Sequence, residues 1–311
     1  MRGNKQREAN MEKIKKIDVH AHVTPFPDYA PRVYPGNNRV ISAEELLRIY
    51  DDLNIEKGVL LPTTTSDWQH ELITSSDCKY VTEQYPGRFL WFCGLDSRMY
   101  GYHPEANFSL LLEHYKALGA KGVGEFMTNL YADDPLTENL FAHCEACDMP
   151  VTVHIAPKIG ENYGIVDELG LPRLEGILKR HKNLKIFGHS QLFWAEMSAD
   201  VTEENRTGYP TGKVTEGRIA KLLRQYPNLY CDFSANSGMN ALMRDPEYAA
   251  SFMEEFSDRI MYGCDLCISY QRHPYVFEEF LDKMLADGML SEQTYYKFVR
   301  GNAVRLLKLE E

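Results

Sequence analysis

Residues 17–22 read IDVHAH, and PVTVHI (150–155), LKIFGH (184–189) and IMYGCDL (260–266) share their character. Each is a short apolar run that ends on or near a histidine or aspartate. Such runs are too short for a helix and suit a strand buried on both faces. Working outward, GVLLP (58–62), FLWFCGL (89–95), KGVGEF (121–126) and LYCDFS (229–234) complete a set of eight. With midpoints at Val19, Val59, Phe92, Val123, Val153, Ile186, Tyr230 and Met261, they fall 30 to 44 residues apart. A strand, a helix and two loops need about 30 residues, and parallel strands need such a crossover. The spacing therefore predicts an α/β fold, a (β/α)8 TIM barrel, with a doubly wound sheet as the structural alternative.

The intervening segments have helical spacing: SAEELLRIYDDL, SDCKYVTEQY, FSLLLEHYKALG, DPLTENLFAHCEACD, LPRLEGILKRH, TEGRIAKLLRQY, DPEYAASFMEEF and HPYVFEEFLDKMLADG. Ser42 followed by Glu45 is a capping-box pattern, and Gly119 and Gly288 stand where helices stop. SEQTYYKFVRGNAVRLLKLEE supplies two short closing helices. No linker or low-complexity segment interrupts the chain, so residues 14–311 are read as one domain after a loose tail, 1–13. Two strand-to-helix loops exceed the usual length of about 2 to 6 residues. These are VTPFPDYAPRVYPGNNRVI after strand one and SQLFWAEMSADVTEENRTGYPTGKV after strand six. Both fall on the face where barrel active sites form.

The 311 residues carry a net charge of −11, which argues against a nucleic-acid or other polyanion binder. No run approaches the roughly 18 apolar residues of a spanning helix. The charged start MRGNKQREANMEKIKK lacks the apolar block of a secretory signal. A cytoplasmic protein with reduced thiols is expected. Cys144 and Cys147 have ligand-like spacing but sit in helical sequence, where buried thiols are the plainer reading.

His20 and His22, two apart on a strand, project to the same side. His154 ends strand five, His189 strand six and Asp265 strand eight, so five residues of metal-ligand type converge on one rim. Imidazole and carboxylate together suit a borderline divalent ion. His70, His103, His114, His143, His181 and His273 fall on helices and loops instead. Asp18 lies one layer deeper and reads as a buried hydrogen-bonding residue. Cys264 and Cys267 flank Asp265 without independent chemistry. Trp194 and Tyr209 on the long sixth loop, with Tyr34 and Phe26 on the first, suit a substrate wall or simple loop packing. Arg98, after strand three, is a candidate substrate clamp, a surface ion pair being its plainer role.

Taken together, DVHAH, VTVHI, IFGHS, YGCDL and GNAVRLLKL resemble the amidohydrolase superfamily. They are closest to the amidohydrolase-2 branch of metal-dependent hydrolases and the aminocarboxymuconate semialdehyde decarboxylase type. The likeness runs from about Ile17 to Leu309. It implies that His20, His22, His154 and Asp265 hold the metal, with His189 as second-metal ligand or catalytic group. Glu125 would bridge two ions, as in TatD-like deoxyribonucleases, or orient a ligand histidine. The cofactor expected is a divalent metal, zinc first, with manganese, iron or cobalt as alternatives, as one or two ions. The leading function is hydrolysis of a small organic substrate (amide, lactone, ester or a related C–N or C–O bond) by metal-bound hydroxide, with Asp265 and His189 catalytic. The alternatives are non-oxidative decarboxylation of an aromatic or enoic acid and a non-catalytic binding barrel. The partner is a small molecule rather than nucleic acid or a membrane, and a homo-oligomer is compatible with the sequence.

Overall fold

The computed structural model describes residues 14–68 and 72–310. The tail 1–13 and His70 lie outside them. Strands β1 (Lys16–Ala21), β2 (Ile55–Leu60) and β3 (Phe89–Trp91) pair in parallel in that order. So do β4 (Val123–Phe126), β5 (Val151–Ala156), β6 (Ile186–His189), β7 (Leu229–Phe233) and β8 (Ile260–Tyr262). The two arcs are stitched by single bridges, Cys93 to Val123 on one side and Ala21 to Leu266 on the other. At the second seam the Asp265 N–H donates to the His20 carbonyl at 2.7 Å and His22 N–H to the Leu266 carbonyl at 3.0 Å. The result is a (β/α)8 TIM barrel.

Helices follow the strands: α1 (Ala43–Asp52), α2 (Ser75–Gln84), α3 (Ser109–Ala117), α4 (Pro135–Ala146), α5 (Pro172–Arg180), α6 (Arg218–Gln225), α7 (Pro246–Glu255) and α8 (His273–Ala286). The Ser42–Glu45 capping box forms at α1 as read from sequence. One side of the strands fills the barrel with Ile17, Val19, Val59, Leu61, Phe92, Phe187, Tyr230 and Met261. Ala303, Leu306 and Leu307, from the closing helices, pack on this cluster. Asp18 faces the helices rather than the interior: its Oδ2 accepts from the Tyr50 hydroxyl of α1 at 2.6 Å, and its Oδ1 from the His20 and Cys264 N–H groups. A register shift between Asp18 and Ala21 reverses the alternation there and brings His20 and His22 to the mouth.

The rim holds more structure than the sequence disclosed. The connections 61–74, 92–108 and 157–171 are also long, and a helix over Ala235–Met243 follows β7. Helix α6 begins at Arg218, because 215–217 instead run antiparallel to 197–199: Ala199 N–H donates to the Thr215 carbonyl and Gly217 N–H to that of Met197. Residues 190–217 thus form a strap across the rim. Asn240 donates to the Pro210 carbonyl at 3.0 Å, and Arg244 to those of Thr211 and Gly212 at 2.9 Å.

Candidate metal centre

The barrel brings His20, His22, Glu125, His154, His189 and Asp265 to one place. His20 Nε2 and His22 Nε2 face each other at 3.0 Å. Glu125 Oε2 lies 3.6 Å from the first and 3.4 Å from the second; Asp265 Oδ1 lies 3.6 and 3.5 Å away. His154, paired with His189 across β5 and β6, holds its Nδ1 2.6 Å from Glu125 Oε1. His189 Nε2 is 3.8 Å from Glu125 Oε1 and 3.7 Å from Asp265 Oδ2. Asp265 is not part of β8 but lies three residues beyond it, in a left-handed conformation (φ 48°) that turns its carboxylate over the mouth.

Close approach at the rim demands glycine. Gly124 has φ 138°, and a Cβ there would stand 2.9 Å from the Thr152 carbonyl. A Cβ on Gly263 would stand 2.7 Å from Asp232 Oδ1.

The electrostatics favour a cation. His22 Nδ1 lies 2.8 Å from the Leu61 carbonyl, an acceptor only, so that nitrogen carries a hydrogen and Nε2 is the nitrogen turned to the centre. Imidazole nitrogens and carboxylates around one point favour positive charge there, a proton or a metal ion. Neighbouring ligands of a tetrahedral zinc, each about 2.1 Å from the ion, are about 3.4 Å apart, close to the spacings found. Burial opposes charge on His20, but Asp232 and then Asp265 carry its pKa well above the ordinary histidine value. Burial, and next the positive His20, push His189 down to about 4. For Glu125, burial is outweighed by His154 and the other histidines, which hold the carboxylate well below its usual range. Three trios of ligand-type atoms lie close enough to share an ion, His20–His22–Asp265, Glu125–His154–His189 and, on the Nδ1 side of the two imidazoles, His20–His189–Asp232; the two Glu125 oxygens turn one toward each of the first two.

Other expected residues go elsewhere. Trp194 is buried and stacked on Phe233 at 3.9 Å, the packing alternative for that side chain. Arg98 is no open clamp, because Asp67 and Asp96 each hold it at 2.6 Å. Phe26 is exposed and stacks on Tyr80, while Tyr34 packs partly buried against the core. Tyr209 does border a cavity of about 600 Å³, with Asn236, Met239, Met243, Arg272 and His273. His273 was assigned to a helix and does begin α8, but its Nε2 donates to the Cys264 carbonyl at 2.6 Å, next to Asp265.

The sequence reading missed Asp232 and Tyr163. Asp232 Oδ2 lies 2.6 Å from His20 Nδ1. It shares a strand face with Tyr230, which fills the barrel, and that alternation could have revealed it. Tyr163 sits in an irregular loop with its ring 4.5 Å from that of His154, and no periodicity marks it.

The sequence matches the amidohydrolase family over residues 17–309. No curated protein matches it. Solved structures that resemble the chain include 5-carboxyvanillate decarboxylase from Sphingomonas paucimobilis, at 16% identity and TM-score 0.59 over 96% of this chain and 100% of that one. A probable 2-pyrone-4,6-dicarboxylic acid hydrolase from Acinetobacter baumannii gives 15% and 0.57 over 95% and 100%. A zinc-bound amidohydrolase from Burkholderia multivorans gives 15% and 0.58 over 95% and 99%. At these identities the structures share a fold, whereas the family match spans nearly the whole sequence: the chain belongs to the amidohydrolase-2 branch of the amidohydrolases.

Proposed function

We propose that the protein is a metal-dependent hydrolase of a small organic substrate, with two ions held by His20–His22–Asp265 and Glu125–His154–His189, Glu125 turning one oxygen toward each. The observation that carries this reading is the ring of His20, His22, Glu125 and Asp265 donor atoms 3.0 to 3.6 Å apart. Zinc suits the mixed nitrogen and oxygen set. A divalent ion in such a site supplies a water whose pKa falls from 15.7 toward about 7, and it polarises the bond under attack.

The remaining steps belong to the chain. The Asp265 side chain is 19% exposed against 5% for Glu125, so the centre opens on the Asp265 side. Asp265 receives the proton of the attacking water there and delivers it to the leaving group. His189, held neutral, serves as a ligand rather than as a cationic oxyanion partner. Met239 and Met243 offer the substrate body an apolar wall in the cavity that Tyr209 borders. All seven cysteines are free thiols, which suits a reducing cytoplasm.

Decarboxylation is the second reading. It is favoured by Arg272 on the cavity wall, whose guanidinium donates to the Ser269 and Gln271 carbonyls and pairs with no carboxylate among the described residues. The saturated Arg98 weighs against it. Turnover in oxygen-18 water separates the two once screening of amides, lactones and aromatic or enoic acids yields a substrate. Hydrolysis labels the product stoichiometrically, and Asp265→Asn loses most activity while some metal remains. Carbon dioxide release without solvent oxygen in the organic product would establish the decarboxylase instead.

A further inference from the structure

Asp232 in β7 and Ser234 just beyond its end meet the Nδ1 atoms of His20 and His189, on the side away from the Nε2 atoms that face Glu125 and Asp265. Asp232, fully buried, places Oδ2 2.6 Å from His20 Nδ1 and 3.7 Å from His189 Nδ1. Ser234, two residues on and equally buried, places its hydroxyl 3.0 Å from His189 Nδ1. We propose that Asp232 and Ser234 are positioning residues that fix a hydrogen on Nδ1 of both His20 and His189, so that both Nε2 lone pairs are aimed at the metal centre.

The argument is one of donors and acceptors. A carboxylate only accepts, so the 2.6 Å contact places the hydrogen on His20 Nδ1. The Ser234 hydroxyl has a single hydrogen and two neighbours, Asp232 and His189. The carboxylate is the stronger acceptor, so the hydrogen turns to it and the oxygen is left to accept from His189 Nδ1. With Nδ1 keeping its hydrogen, Nε2, which faces Glu125 and Asp265, is the nitrogen of each ring that would bind an ion, an ion there taking the place of any second proton on His20. The polarised chain Asp232–Ser234–His189 also raises the basicity of the ligand nitrogens. Gly263 leaves room for this carboxylate, since any Cβ there would press on Asp232 Oδ1 and approach the His20 Cβ to 3.4 Å.

The proposal rests on the metal-centre reading, and the test keeps the two apart. The full chain, labelled with nitrogen-15 histidine, is compared by NMR with and without zinc, and its zinc affinity is measured by competition with a chromophoric chelator. In the wild type we expect hydrogen-bonded Nδ1–H signals from His20 and His189 in both states. Asp232→Ala should lose the His20 signal and weaken zinc binding by about 10- to 100-fold. Asp232→Asn, which keeps a carbonyl acceptor, should retain the signal and recover part of the affinity. Ser234→Ala should move the His189 signal and leave that of His20 in place. Wild-type spectra with His20 or His189 protonated at Nε2 alone overturn the proposal even if Asp232→Ala fails to fold, and so does an Asp232→Ala protein that binds zinc like the wild type. A wild type that keeps both Nδ1–H signals but takes up no zinc sinks the metal-centre reading, not the tautomer assignment.

Discussion

Asp18 is a carboxyl group sealed in the barrel wall between β1 and α1. Burial pushes its pKa from 3.8 up to about 6, against the opposing pull of Tyr50 and two backbone N–H groups. Folding therefore favours the neutral form: the stability tied to this group is present in full below about pH 4 and is lost as pH rises through 6, with a ceiling of roughly 3 kcal/mol. Asp18→Asn, whose amide can accept from both N–H groups and donate to Tyr50, should flatten that slope. Urea unfolding of metal-free wild type and variant between pH 4 and 7 checks this, and parallel profiles would reject it. The ligand residues were legible in sequence because strand ends fix where their side chains point. Asp232 was hidden in plain alternation, and for Arg98 the plainer role, an ion pair, is the one found, although no sequence pattern names Asp67 and Asp96 as its partners.

At the scale of elements, the strap over 190–217 and the helix Ala235–Met243 shape the cavity together. Tyr209 rides on the strap, half exposed, and burial with the Asp265 charge raises its pKa. Tyr209→Ala should raise KM several-fold and leave metal content unchanged, as measured by steady-state kinetics and elemental analysis; equal loss of metal would assign Tyr209 to the scaffold. All eight barrel strands and the eight helices that follow them were readable, since each has a clear apolar period, whereas the two-residue strand Ile165–Val166 beside β5 was not. The helix Ala235–Met243 was not, because small and polar residues interrupt its apolar face and Gly238 stands at its middle. Packing explains the glycine: a Cβ at Gly238 would meet Trp194 Nε1 at 3.1 Å. That contact is tertiary, and local sequence does not record it.

For the molecule as a whole, we propose that residues 14–310 fold as one unit, because the interior cluster joins the first strand to the closing helices. Metal should stabilise that unit by mass action. Zinc at about 100 times its Kd should add about 2.7 kcal/mol. The His20→Ala, His22→Ala double variant should show a much smaller rise in Tm and less bound metal; full stoichiometry in that variant would refute the site. Among the described residues no helix is long and apolar enough to cross a membrane. The floor of the barrel has a consequence for synthesis. Ile17, Val19 and Met261 are sealed from below by Ala303, Leu306 and Leu307, which leave the ribosome roughly 40 residues after the last strand. At about 5–20 residues per second that interval lasts about 2 to 8 s. For those seconds every strand has been made while the apolar floor still lies open to chaperones and to other nascent chains.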